Sequence, residues 1–344
     1  MKKKINVGIV GAGRWGPNLI NALWSNPAVS DILVCDINEN SLKKIRNKYS
    51  DISCTTSINS LTEEKSIDVV FISTPVSTHF DLSKKILNSG KHIFVEKPFC
   101  SSSIEGSQLI NQAEEKGLFI MVGHVFLFNL AIQKIKEILT KSEIGKVHYL
   151  LAERTNLGPV RSDVNATWDL TSHDISIFNF LLNDKPTKVS TNGLKALDGK
   201  VEDTTFSTFK YSNGVTAHAH ASWLNPRKVR QITIVGEKKM LVWDDLDLTM
   251  PIKVFNSNIT LTDASYTDSY SSHIMQYHHG DIEVPYVKNG EPLKIEVDYF
   301  IKRILGVGGQ LSDGYFGNEV VQVLEASDDS IKNNSTFIDI IYKR

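Results

Sequence analysis

Gly11-Ala12-Gly13-Arg14-Trp15-Gly16 constrains this chain more than any other feature, because it stands between a run of strand formers and a helical stretch. Ile5–Val10 is apolar and short enough for a buried strand, and residues 17–25 carry Leu19, Ile20, Leu23 and Trp24 at helical spacing. A strand that turns through three spaced glycines into a helix is the arrangement that receives a dinucleotide pyrophosphate. Gly11 permits the tight turn, Gly13 removes a side chain where backbone N–H groups approach phosphate, and Gly16 lets helix and strand pack closely. The helix N-terminus adds donors and positive dipole, with Ala12, Arg14 and Trp15 on the same loop.

Asp36 closes the second apolar run, residues 32–35, twenty positions after Gly16. A carboxylate there accepts hydrogen bonds from the adenosine ribose hydroxyls and repels a 2′-phosphate, and Ile37 and Asn38 follow with no arginine to receive one. The expected cofactor is therefore NAD in preference to NADP. Further strands are expected at 69–73, 92–95 and 119–122, with helices near 40–48, at 79–89 and at 103–116. That alternation predicts a doubly wound parallel sheet, a Rossmann domain over residues 1–122. Ser73, Thr74, Pro75, Thr78 and His79 follow a strand carboxyl end and are expected to line the cofactor crevice, His79 without a catalytic role.

Beyond about residue 123 the pattern changes. A helix at 131–139 leads to a strand at 147–154, a polar loop and a helix near 170–182. Residues 187–255 then read as strands punctuated by turns at Ser212-Asn213-Gly214, Leu197-Asp198-Gly199 and Gly236-Glu237. Helices at 293–305 and 318–333 and a strand at 337–341 close the chain, and residues 262–272 read as an exposed loop. The second domain, 123–344, is thus expected to be α+β with a large, open, mostly antiparallel sheet.

The formal net charge of -1 gives no global attraction to nucleic acid or anionic membranes. No apolar run approaches the roughly 20 residues of a membrane span, and Lys2-Lys3-Lys4 precede an apolar run too short for a signal peptide. Cys35, Cys54 and Cys100 are scattered, which suits a reducing cytoplasm and no disulfide framework. His218 and His220 share a strand face without ligand spacing, and His278-His279 likewise lacks a partner carboxylate–histidine spacing, so no metal site is expected.

Glu96-Lys97-Pro98 directly follows a predicted strand, and Asp169-Leu170-Thr171-Ser172-His173-Asp174 contains a DxxxH spacing that places Asp169 and His173 on one face of a helix. With the glycine fingerprint, and with Val122-Gly123-His124 running into Phe128-Asn129, these motifs resemble the glucose-fructose oxidoreductase/inositol dehydrogenase/MocA family across most of the chain. The resemblance implies an NAD-dependent dehydrogenase acting on CH–OH, with Lys97, Asp169 and His173 catalytic and Glu96 beside the cofactor. An imidazole moves a proton near neutral pH, so His173 would take the substrate hydroxyl proton as hydride leaves the same carbon. Lys97 would stabilise charge on the reacting oxygen, and Asp169 would bind substrate or orient His173. The segment 126–130 departs from the family in lacking its arginine and proline, which weakens the case for simple inositol or glucose substrates.

Residues 154–168 resemble a branch of that family acting on nucleotide-linked sugars, UDP-N-acetylglucosamine 3-dehydrogenases among them. The implied reaction is oxidation at C3 of a UDP-N-acetylhexosamine. Alternatives are a 3-ketoreductase of a deoxysugar nucleotide, a dehydrogenase of a free sugar or inositol, and a non-catalytic NAD-binding sensor. Candidate substrate contacts are Lys97, His124, Asn129, Arg154, Asn156, Arg161, Asn165, Trp168, Asp169, His173 and Arg227, with Arg227 beside Lys228 in a second cationic cluster. A homodimer or homotetramer is expected, and an apolar outer face on the second sheet would need a partner sheet.

Overall fold

The structure, a computed structural model, describes residues 4–197, 199–263 and 273–342. Its contacts divide the chain into two units: residues 1–129 with 290–325 and 341–344, and residues 130–289 with 326–340.

In the first unit, β1 (Ile5–Val10), α1 (Gly16–Trp24), β2 (Val29–Cys35), α2 (Glu39–Lys48), β3 (Ser53–Thr55), α3 (Ile58–Glu63), β4 (Val69–Ile72), α4 (His79–Asn88), β5 (His92–Glu96), α5 (Ser103–Glu115) and β6 (Ile120–Gly123) follow in order. The strands form one parallel sheet ordered β3-β2-β1-β4-β5-β6. The order reverses beside β1, and the strand carboxyl ends on either side of that switch make the ligand crevice of a doubly wound sheet. β4 is fully buried and β1 nearly so, as strands covered by helices on both faces must be. α5 starts where Ser102 caps it, its hydroxyl accepting from the Glu105 N–H at 3.3 Å. Leu19, Ile20 and Leu23 of α1 are buried, but Trp24 is exposed and leans on Tyr49 at 5.3 Å. β3 and α3 lie where no element was expected; three residues and six residues carry too little periodicity to show.

The second unit begins with α6 (Leu130–Thr140), β7 (Val147–Leu157) and α7 (Ser172–Leu182), followed by β8 (Pro186–Leu194), β9 (Thr204–Tyr211), β10 (Thr216–Ser222), β11 (Leu224–Gly236), β12 (Met240–Asp244), β13 (Ile252–Asp263) and β14 (His273–Glu283). α8 (Pro292–Ile304), α9 (Gly314–Lys332) and β15 (Ile338–Asp339) end the chain. The nine-stranded sheet runs β14-β13-β12-β11-β7-β10-β9-β8-β15, antiparallel except where β7 pairs with β10. Residues 262–263, expected in a loop, extend β13, and the remainder of that segment lies outside the described residues.

The division differs from a boundary at residue 122. α8 returns to the first unit because Leu293, Val297, Phe300 and Ile301 form a buried stripe, with Phe300 edge-on to Phe71 at 5.9 Å. Val122 donates its N–H to the Ser312 carbonyl at 2.8 Å, and the Ser312 hydroxyl donates to the Val122 carbonyl at 2.6 Å. No helix among the described residues is long and apolar enough to cross a membrane.

Candidate active-site residues

The glycine loop has the properties that its spacing requires. Gly11 sits at φ +99, and a Cβ there would meet the Ser73 carbonyl oxygen at 2.6 Å; a Cβ on Gly16 would meet the Gly11 carbonyl oxygen at 2.1 Å. These two glycines are demanded by the protein's own packing. Gly13 differs: nothing lies within 4 Å of its Cβ position, so this side of the loop is left open for a pyrophosphate. Asp36 Oδ2 accepts from the Ala12 N–H at 2.6 Å and Oδ1 from the Asn38 N–H at 2.7 Å. The carboxylate braces the loop while keeping lone pairs for ribose hydroxyls. Ile37 is exposed beside it. Arg14 and Trp15 are exposed on the loop, and Trp15 Nε1 donates to Glu96 Oε1 at 2.6 Å. The residues present therefore fit NAD.

Ser73 N–H bonds the Val10 carbonyl, and Thr74 and Thr78 share a hydroxyl–hydroxyl bond of 2.7 Å, with Thr78 also donating to the Pro75 carbonyl. His79, expected to line the cofactor, is buried instead. Its Nδ1 lies 2.9 Å from the Pro98 carbonyl oxygen and its Nε2 2.9 Å from that of Thr74, so the imidazole joins two loops.

Lys97 follows β5 on a turn closed by a cis peptide to Pro98. Burial pushes the Glu96 carboxyl up to about 7, against the opposing hydrogen bond from Trp15 and the charge of Lys97. His124, after β6, is buried, and neither ring nitrogen has a hydrogen-bond partner among the described residues; its ring meets Phe316 edge-on at 5.6 Å. Burial and then the Lys97 charge push its pKa down to about 3, so it is a neutral imidazole. Asn129 caps the short 3-10 turn after β6 and is partly buried.

In the second unit, Asp169 lies in a π-helical turn, Thr167–Thr171, and His173 on the first turn of α7. The regular α-helix expected through both is thus widened by one residue at Asp169. Such π turns are rare and tend to occur at functional positions. Asp169 Oδ1 accepts from Arg161 Nη1 at 3.3 Å and Oδ2 from Trp223 Nε1 at 3.3 Å. Arg161 also grips Asp163 through Nε at 2.9 Å and Nη2 at 2.5 Å, and these carboxylates hold its pKa up.

Three expected substrate contacts are used internally. Arg154 is buried and paired with Asp174 through Nε at 3.1 Å and Nη2 at 2.7 Å. Leu150 and Ala152, at alternate positions of β7, are also buried, and Arg154 continues that inner face. Asn165 and Trp168 are buried as well, and both donate to Asp328, at 2.9 and 2.8 Å. Nothing in the local sequence pairs positions 163 and 160 residues apart. Asn156 and Arg227 remain accessible near the end of the sheet, where Thr155 donates to the Arg227 carbonyl at 3.3 Å and Arg227 and Lys228 are exposed. His218 and His220 do share one face of β10, with His220 stacked on Phe206 at 4.4 Å. Among the described residues no group of three or more His, Cys, Asp or Glu is arranged to hold a metal.

Two family models match: an oxidoreductase family with an NAD-binding Rossmann fold over residues 5–124, and the GFO/IDH/MocA C-terminal domain over residues 132–242. The UDP-N-acetylglucosamine 3-dehydrogenase of Acidithiobacillus ferrooxidans is 30% identical over 187 residues, 54% of this chain and 58% of that protein. A scyllo-inositol 2-dehydrogenase (NAD(+)) of Bacillus subtilis is 26% identical over 237 residues, 66% of this chain and 69% of that one. The solved structure of the Acidithiobacillus enzyme, GnnA, superposes with a TM-score of 0.79 at 22% identity, over 96% of this chain and 98% of its own, which shows the shared fold. The chain is a dehydrogenase belonging to the glucose-fructose oxidoreductase/inositol dehydrogenase/MocA family of NAD-binding oxidoreductases.

Proposed function

We propose that the chain oxidises a hydroxyl of a nucleotide-linked sugar to a ketone, with C3 of a UDP-N-acetylhexosamine as the substrate position. The observation that carries this reading is a pair of chemistry-bearing turns, one in each unit. Lys97 follows β5 next to the Glu96 that Trp15 of the glycine loop bonds, and Asp169 and His173 lie on a π turn and the helix it enters. The 30% identity to a UDP-N-acetylglucosamine 3-dehydrogenase supports the nucleotide sugar.

When bound, NAD supplies the hydride acceptor. The glycine loop would hold the pyrophosphate and Asp36 the ribose hydroxyls, with residues 73–75 and 78 flanking. His173 removes the hydroxyl proton as the C–H bond breaks, and returns it when the direction reverses. Lys97 donates to the reacting oxygen and stabilises its developing charge. Asp169, which already receives Arg161 and Trp223, orients His173. Arg154 and its partner Asp174 serve the scaffold; Arg227 and Lys228 are the exposed cations for a diphosphate, and Arg161 would join them from its pairing with Asp163 and Asp169.

Calorimetric titration of the NAD-loaded protein with UDP-N-acetylglucosamine, UDP-N-acetylglucosaminuronate, dTDP-sugars, inositol and glucose tests the reading. Binding of one UDP-sugar, with NADH formation that His173→Ala abolishes, is expected. Binding of inositol or glucose alone would favour the likeness to the inositol dehydrogenase and overturn the substrate assignment. We further propose a homo-oligomer joined through the outer sheet face, where Tyr149, Leu151 and Phe206 are exposed; a monomeric mass by light scattering contradicts it.

A further inference from the structure

We propose that Asp328 of α9 is a positioning residue that sets the π turn carrying Asp169 and, through it, the start of α7 carrying His173. Its two carboxylate oxygens take one donor each from Asn165, just before that turn, and Trp168, within it. Oδ1 receives Asn165 Nδ2 at 2.9 Å, and Oδ2 receives Trp168 Nε1 at 2.8 Å. Asn165 meanwhile accepts the Trp168 backbone N–H through Oδ1 at 3.1 Å, the bond of a helix N-cap, so its amide is clamped at both ends. Asn165 and Trp168 are both buried, which fixes donors and acceptor where water competes poorly.

A π turn has poorer intrinsic bonding than an α-helix and persists where its surroundings enforce it. Here the enforcement comes from two sides. Ala166 and Leu170 pack on Trp223, whose indole N–H reaches Asp169 Oδ2, and Asp328 anchors the Trp168 indole in the middle of the same turn. Burial holds the Asp328 carboxyl above its usual range even though Asn165 and Trp168 both favour its charged form. Loss of the clamp leaves the Trp168 indole with an unmet donor and Asn165 with only its 3.2 Å bond to Glu202 Oε2, and the turn relaxes toward a regular helix. A displacement of about 1 Å at a proton-transfer group costs on the order of a hundredfold in rate.

The catalytic half of this inference rests on the reaction proposed above, so the test has one readout that does not. Asp328→Asn keeps the shape but cannot accept both donors, and Trp168→Phe removes one donor and leaves Asp328 in place. Amide hydrogen exchange by mass spectrometry is expected to show protection across residues 165–173 falling at least tenfold in Asp328→Asn, with the rest of the unit unchanged. With the nucleotide-sugar substrate, kcat is expected to fall at least tenfold while KM and NADH affinity stay within about twofold. The double variant should be little worse than either single one, because both act through one clamp. Unchanged exchange at 165–173, exchange lost uniformly through the unit, or kcat within twofold of the parent overturns the proposal. If the parent protein turns over no sugar, the reaction fails by itself, and the exchange pattern alone decides the clamp.

Discussion

Trp15 Nε1 lies 2.6 Å from Glu96 Oε1, so the glycine loop is bonded directly to the residue preceding Lys97. Binding of the pyrophosphate and placement of the lysine are thereby mechanically linked within one unit. Trp15→Phe removes the donor that favours ionised Glu96, so the Glu96 pKa should rise further above about 7. Carbon-13 NMR of labelled glutamate reads this directly, and an unchanged titration would show that the bond does not form in solution.

Asp36 should decide cofactor choice. Asp36→Ser removes a carboxylate that accepts the Ala12 and Asn38 N–H groups and is placed to receive the ribose hydroxyls. NAD affinity is expected to fall at least tenfold and the discrimination against NADP to collapse, as measured by quenching of protein fluorescence. Retained discrimination would mean that another group repels the 2′-phosphate.

The Arg154–Asp174 pair is expected to matter for stability more than for substrate. Arg154→Met takes the guanidinium from a buried carboxylate, a change that typically costs about 3–5 kcal/mol. Guanidinium denaturation should show this loss. A loss of substrate affinity at unaltered stability would restore the direct binding role expected from sequence.

His124 should make stability depend on pH in a definite direction. Its folded pKa, pushed down to about 3 by burial and by Lys97, lies below the unfolded value near 6.5. The unfolded chain therefore binds the extra proton, and this contribution is complete above about pH 6.5 and is lost as pH falls toward 3. Glu96, raised to about 7, works in the opposite sense: its contribution is complete below about 4.5 and is lost as pH rises through 7. Replacing His124 isolates its share. Between pH 7.5 and pH 5, the parent should lose ~2 kcal/mol more than His124→Gln in urea unfolding. Equal losses would place His124 in contact with solvent.

What was legible in the sequence was local. The glycine spacing, Asp36 and the strand–helix alternation report φ requirements and 3.6- or 2-residue periods, which neighbouring residues enforce. Lys97 and the Asp169–His173 spacing stood out through the family resemblance that their short motifs carry. What escaped depends on residues remote in the chain. The return of α8 to the first sheet follows from Phe300 meeting Phe71 and Phe94, and the reassignment of Asn165 and Trp168 follows from Asp328. Arg154 looked like an anion ligand because a lone arginine beside amides carries no mark of its internal partner. The π turn escaped because Asp169 and His173 have the same separation in either helix type.

The central claim is hydride removal from C3 of a nucleotide-linked sugar with His173 taking the proton. The most direct measurement is a single turnover of UDP-N-acetylglucosamine deuterated at C3 with NAD, quenched in acid, with the cofactor analysed by mass spectrometry. Denaturing the protein also recovers cofactor that would not otherwise leave. The account predicts deuterated NADH from the parent protein, and none from His173→Ala under conditions where calorimetry shows the sugar still bound. Unlabelled NADH, or deuterium transfer undiminished in His173→Ala, would contradict it.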